Sequence, residues 1–335
     1  MPALSTTFYY TVLIRITATI LTGIAILSRS WPLSFWPNTC KSSNLGIPQH
    51  PAVAGNQMMA KECENRLKFF SCNWDPEMLT VVNNKKPTTS EAFFCSYNGT
   101  GKATIFVTGN SFAIRQVSTI ETALRDKYKK LYFVSRPNCL PFESFNGFFP
   151  KRWGCDEVRN KTVQFLEKFK PDFLIITQRL SGHPKFQKPL TMKQAKIDNT
   201  TLIVADYLKM FSQFVRKIFI IEPHVVLTFD PVTVLAKELS QGNSIDKYHV
   251  SMSKLQKEID PGWFRILAAM DTCPKCESIP IRSIFCKDDK CPVYEAKRKL
   301  SLFCDYGHLS PLGVEKMVPI VKTYFNKALA NLTLN

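Results

Sequence analysis

The stretch Ala103-Thr104-Ile105-Phe106-Val107-Thr108-Gly109-Asn110-Ser111 decides the reading of this chain. Residues 103–107 carry β-prone side chains and predict a strand, Thr108 to Ser111 interrupt it, and an amphipathic helical pattern starts near Phe112. A strand, a turn and a helix in that order would stand Ser111 at the edge of a sheet. Its hydroxyl would project there, with the free N–H groups of a helix start around it. That is a position for a nucleophile. It is equally a position for a helix cap, at which Asn and Ser both excel, so the tetrapeptide alone assigns no chemistry.

Outward from this point, short apolar runs alternate with longer amphipathic stretches. Phe93 to Tyr97, Leu131 to Val134, Phe173 to Thr177, Ile218 to Ile221 and Ile281 to Phe285 read as further strands, with Asn98-Gly99 as a hairpin-type turn before Ala103. Helices are expected at about 112–128, 156–169, 200–215 and 311–329. The last has Ser310 to cap it and Pro311 at its first position. This alternation predicts an α/β fold, a three-layer doubly wound and mostly parallel sheet of flavodoxin-like type. Its reactive groups should lie on loops at the carboxyl ends of the strands.

Asp305-Tyr306-Gly307-His308 lies in a loop just before the terminal helix. A carboxylate three residues from an imidazole on a tight turn can accept from one ring nitrogen and leave the other free to take a proton. The chain has only 5 His, and His50, His183, His224 and His249 have no carboxylate at that spacing in a loop before a helix. Ser111 and His308 are far apart in sequence, yet both would reach the same sheet edge.

Gly109-Asn110-Ser111 together with Asp305-x-x-His308-Leu309-Ser310 and Gly313 resembles the SGNH hydrolase superfamily. More narrowly, it is similar to the C-terminal SGNH domain of acyltransferase-three membrane O-acyltransferases, in the animal branch. The resemblance covers about residues 91–330. It implies Ser111 as nucleophile, His308 as general base and then acid, and Asp305 as its orienting partner, with Gly109, Asn110, Gln178 and Arg179 on the oxyanion or substrate side. It implies acyl transfer from an ester donor to a hydroxyl acceptor, glycan or lipid, or hydrolysis of such an ester, with no cofactor. Two positions depart from the family's pattern. Asn110 stands where Asp is usual, and Gln178-Arg179 follows the Phe173 to Thr177 strand where a Gly-x-Asn normally supplies an oxyanion donor. Loss of such a donor costs about 2.7–4 kcal/mol of transition-state stabilisation. The alternative expectation is therefore a catalytically inactive binding module that keeps the fold.

The N-terminus speaks to compartment. Phe8 to Leu27 is about twenty residues with a single charge, Arg15, and roughly 30 Å long as a helix, so residues 1–30 are expected to hold one transmembrane span. Residues 31–90, with Pro and Cys, read as a neck, and 91–335 as the globular domain. Sequons at Asn98, Asn160, Asn199 and Asn331 and 11 Cys suit a luminal or extracellular body. Cys273, Cys276, Cys286, Cys291 and Cys304 are disulfide candidates that would brace the Asp305–His308 loop, their pairing open. The same spacing could form a compact zinc module, but the span, the extra thiol Cys304 and the lack of interleaved Arg and aromatics argue against a metal.

The 44 Lys and Arg against 27 Asp and Glu leave a net charge of +17 that favours anionic partners, and its scatter along the chain does not suggest nucleic acid. A membrane and a polytopic acyltransferase are the expected partners. With 45% hydrophobic residues and 13 Gly against 21 Pro, the composition excludes a disordered chain, collagen and a coiled coil.

Overall fold

The computed structural model describes residues 50–64, 73–82, 93–148, 155 and 161–331. The expected span and the sequon at Asn160 lie outside these residues. Among the described residues, no helix is long and apolar enough to cross a membrane.

Seven strands form the central sheet: β1 (Asn73–Trp74), β2 (Phe93–Asn98), β3 (Ala103–Gly109), β4 (Tyr128–Ser135), β5 (Phe173–Thr177) and β6 (Lys217–Ile221), followed, beyond β7 (His249–Ser251), by β8 (Cys276–Ile279). They lie in the order β1-β2-β4-β3-β5-β6-β8. From β4 to β8 all neighbours are parallel, and β1 and β2 add an antiparallel edge. The chain leaves β3 for β4 on one side and then crosses to β5 on the other. The winding therefore reverses at β3, and the crevice that such a reversal opens lies at the carboxyl end of the strand leading into Ser111.

Both faces of β3 are covered, which is why it reads as a continuous apolar run. Ile105 pairs in register with Phe173, so these two share a face and Phe106 points to the other. Phe173 packs on Phe325 of the C-terminal helix Val318–Ala330, with centroids 4.3 Å apart. Phe106 meets Phe165 of the helix Lys161–Phe169 at 6.0 Å. Helices thus cover the sheet on opposite faces, giving the expected three layers.

Several elements differ from expectation. Asn98-Gly99 makes no hairpin: β2 pairs with β4 instead of β3, and the Gly99 and Gly101 amides bond the carbonyls of Lys129 and Tyr128. Ile281 to Phe285 is not a strand. Glu222 Oε2 accepts the N–H groups of Ile281 and Arg282, both at 3.0 Å, and this remote cap starts the short helix Arg282–Phe285. The edge strand is the preceding Cys276–Ile279. The terminal helix is broken into Pro311–Glu315 and Val318–Ala330.

Helices Pro231–Ser240 and Met252–Met270 were not anticipated. Ala52–Glu64, within the segment read as a neck, is a helix that packs on Pro231–Ser240.

Candidate active site

The serine is placed by the sheet. Gly109 ends β3 at φ +149°, and a Cβ there would lie 1.8 Å from the carbonyl oxygen of Thr177 on β5, so only glycine lets the two strands stay paired through this turn. Asn110 caps the helix Ser111–Leu124, its Oδ1 accepting from the amide of Phe112 at 3.2 Å. The same oxygen accepts from the Arg179 amide at 3.0 Å, and Asn110 Nδ2 donates to the Arg179 carbonyl at 2.9 Å. Asn110 therefore ties the turn before Ser111 to the loop after β5. Two acceptor contacts from backbone amides and one donor contact need an amide side chain, which explains Asn where the family usually has Asp. Ser135 Oγ adds bonds to the carbonyls of Gly109 and Asn110 at 2.8 and 2.9 Å. Ser111 opens the helix, half-buried.

The histidine is placed by a tight loop. His308 Nδ1 lies 3.0 and 2.9 Å from the two oxygens of Asp305. The carboxylate fixes Nδ1 as the protonated nitrogen and leaves the Nε2 lone pair for a proton. Asp305 Oδ1 also accepts from the Gly307 amide at 2.7 Å. Burial pushes the Asp305 carboxyl up, but the His308 bond and charge, the Gly307 amide and the Arg115 guanidinium outweigh it and hold the group down to about 2. A bond of 2.8 Å from the Cys304 amide to the His308 carbonyl closes the loop. Gly313, last residue of the motif, lies so close to the Leu302 carbonyl that a Cβ would come within 2.1 Å of it.

The two sequence blocks come near one another through Phe112. Phe112, the residue after Ser111, presents its ring edge to His308 with centroids 6.3 Å apart. The His308 ring bonds only Asp305 among the described residues, so no hydrogen bond joins it to Ser111 Oγ. Catalytic contacts of this kind commonly tighten only with substrate.

Arg179 reaches the Asp305–His308 loop. Its Nη1 would lie 3.8 Å from a Cβ on Gly307, between Asp305 and His308. Gln178, its neighbour, is different: the side chain is 2% exposed, and its Oε1 and Nε2 are buried with no hydrogen-bond partner.

The five expected disulfide cysteines are all paired, in an arrangement of which only one bond touches the site. Cys304, next to Asp305, joins Cys63 on the helix Ala52–Glu64. Cys273–Cys276 and Cys286–Cys291 close small local loops. Cys139–Cys155 is a further bond, and Cys95 is also oxidised.

Three site residues went unread in the sequence. His224, just beyond β6, stacks on Phe112 at 3.9 Å and bonds the Val225 carbonyl through Nδ1. Complete burial, with the charges of His308 and Arg179, holds its pKa down to about 3, so it is neutral beside the dyad. Its place after a buried strand on this edge was the available signal. Arg115 donates to the Cys63 carbonyl at 3.4 Å. Glu258, raised in pKa by burial, accepts from the Val226 amide and from Ser181.

Residues 82–323 match the model of the SGNH domain (fused to AT3 domains). Among solved structures, the periplasmic domain of the lipopolysaccharide acetyltransferase of Salmonella ser. Paratyphi A is similar at 16% identity and TM-score 0.54, over 84% of this chain and 100% of that one. A putative GDSL-like lipase from Parabacteroides merdae ATCC 43184 gives 14% identity and 0.39, over 68% and 98%. A variant of an acetyl xylan esterase from Geobacillus stearothermophilus gives 12% and 0.37, over 71% and 99%. No curated protein matches the chain. The glycine-lined turn, the paired Asp305 and His308 and the family match over residues 82–323 lead to one conclusion: the chain belongs to the family of SGNH domains fused to AT3 domains.

Proposed function

We propose that this domain transfers or hydrolyses an O-acyl group through an acyl-serine intermediate on Ser111. The observation that carries this reading is the Asp305–His308 pair, 2.9 Å apart, set against Phe112 at the start of the serine's helix. Ser111 Oγ attacks the acyl carbonyl carbon while its proton passes to His308 Nε2. The developing oxyanion faces the free N–H groups of the first helical turn. Collapse breaks the bond to the leaving alkoxide, which takes the proton from His308. Water or an acceptor hydroxyl then gives its proton to His308, attacks the acyl-serine, and restores Ser111. Asp305, ionised throughout, holds the ring and steadies the imidazolium.

The acceptor is a carbohydrate or a lipid-like hydroxyl. Family membership and the acetyltransferase named among similar structures support the acyl chemistry and point to an AT3-type polytopic acyltransferase as partner. The disulfides and the exposed sequon residues Asn98, Asn199 and Asn331 support a luminal or extracellular domain, anchored by the apolar segment 8–27. A fluorophosphonate probe tests the reading: the folded protein should be labelled, and Ser111→Ala should abolish the label.

A second reading, a non-catalytic SGNH-fold binding module, is favoured by Gln178, whose buried and unpartnered amide replaces the family's oxyanion-donating Asn. Absence of labelling on folded wild-type protein decides for it.

A further inference from the structure

Arg179 is fixed in place more firmly than a surface arginine, and although Glu258 and Asp305 lie near it, no carboxylate pairs with it directly. Its amide and carbonyl are both held by Asn110, at 3.0 and 2.9 Å. Its Nε donates to Ser181 Oγ at 3.2 Å, Ser181 donates to Glu258 Oε1 at 3.3 Å, and that oxygen also accepts the Val226 amide at 3.1 Å. The side chain is half-buried. Only the Nε of the guanidinium is taken up, and among the described residues Arg179 has no salt bridge and its Nη groups have no hydrogen-bond partner. Glu258 is linked to it by hydrogen bonds only through the Ser181 hydroxyl, and otherwise by charge at longer range. The open end of the fork lies beside Gly307, within the Asp305–His308 turn.

A half-buried guanidinium with two free Nη groups is the geometry that binds a carboxylate or phosphate with paired N–H bonds. Leaving it unmatched is costly, so its natural partner is an anion carried into the site by substrate. The net charge of +17 attracts the same ligands from a distance.

We propose that Arg179 is a specificity-determining residue that reads an anionic group on the acceptor, so that the hydroxyl compound served by Ser111 is a saccharide bearing a carboxylate or phosphate. This rests on the acyl-transfer reading for the word acceptor, but binding tests it separately. The full chain with Ser111→Ala, which cannot form the acyl-enzyme, is titrated with methyl glucuronide, methyl glucoside 6-phosphate and neutral methyl glucoside. At least one anionic sugar should bind about tenfold or more tightly than the neutral one, a preference that shrinks as salt rises. Which of the two binds better identifies the anion as carboxylate or phosphate.

Adding Arg179→Gln should erase that preference, and Arg179→Lys should keep only part of it, because a point charge cannot reproduce the fork. Equal affinities for all three sugars, or a preference that survives Arg179→Gln, overturns the proposal. Should Arg179→Gln fail to fold, Ser181→Ala keeps the charge but frees Nε. A several-fold loss of preference then supports the proposal, and an unchanged preference overturns it. Equal sugar affinities beside normal fluorophosphonate labelling of Ser111 would remove this inference and leave the acyl-transfer reading standing.

Discussion

Serine and histidine are held in place by different means. Gly109 ends a central strand whose neighbours on both sides run parallel, and Ser111 opens the helix two residues on, so the serine inherits the rigidity of the sheet. The Asp305–His308 loop belongs to no strand of that sheet. It is held by crosslinks: the Cys63–Cys304 bond, the Cys304 amide on the His308 carbonyl, the Leu227 amide on the Tyr306 carbonyl at 2.6 Å, and Asn56, which accepts the Ser301 amide and donates to the Lys299 carbonyl. The serine's place is a consequence of the fold. The histidine's place is added to the fold by contacts that could be removed one at a time.

The largest effect should fall on the crosslinked side. Asp305→Asn keeps the shape but removes the charge and the preferred tautomer, and should lower kcat roughly 10⁴-fold with little change in KM, read by steady-state ester hydrolysis. On the sheet side, Gly109→Ala forces a Cβ toward the Thr177 carbonyl at a φ of +149°. It should cost about 4 kcal/mol or more, seen as a large drop in the midpoint of chemical denaturation.

Cys63→Ser with Cys304→Ser should cost about 2–4 kcal/mol, and hydrogen exchange sharpens the contrast. Amides of residues 302–309 should lose protection while those of 103–109 keep it; equal loss on both sides would erase the distinction drawn above.

Acid should have the smallest effect. The Asp305 carboxyl is held at about 2 in the folded chain and near 4 when unfolded, so its share of stability is complete above about pH 4. That share disappears as pH falls through about 2. A denaturation series between pH 5 and 2 should therefore lose slope in Asp305→Asn.

The same contrast explains what the sequence could reveal. Strands 103–109, 173–177 and 217–221 are buried on both faces, and burial on both faces writes a continuous apolar run that needs no tertiary information. Cys276–Ile279 lies at the sheet edge, mostly half-exposed, and leaves no such run, so the neighbouring Ile281 to Phe285 was taken in its place. Met252–Met270 was hidden by Pro261 and Gly262. Yet Gly262 is where that helix approaches Leu180 so closely that a Cβ would stand 2.9 Å from the Leu180 Cβ, a contact visible only once the helix is docked.

Among site residues, Asp305 and His308 were readable because their interaction is local, three residues apart. Ser111 needed the fold to bring it to them. The partner of Cys304 lay 241 residues away in a segment read as a neck, and no spacing rule reaches that far. His224 has no acidic neighbour at a telling interval. Its role comes from a ring beneath it, and ring stacking leaves no mark on linear order.

The bond between Cys63 and Cys304 also sets a timetable. Its two halves are made 241 residues apart, and the ring they close takes in the serine's strand and helix. Until Cys304 has been made, Cys63 lacks the partner it has in the folded chain, and the loop that holds Asp305 and His308 has not been made. A serine presented earlier, at the end of its strand, therefore waits for that later loop and an oxidising surrounding to complete the pairing.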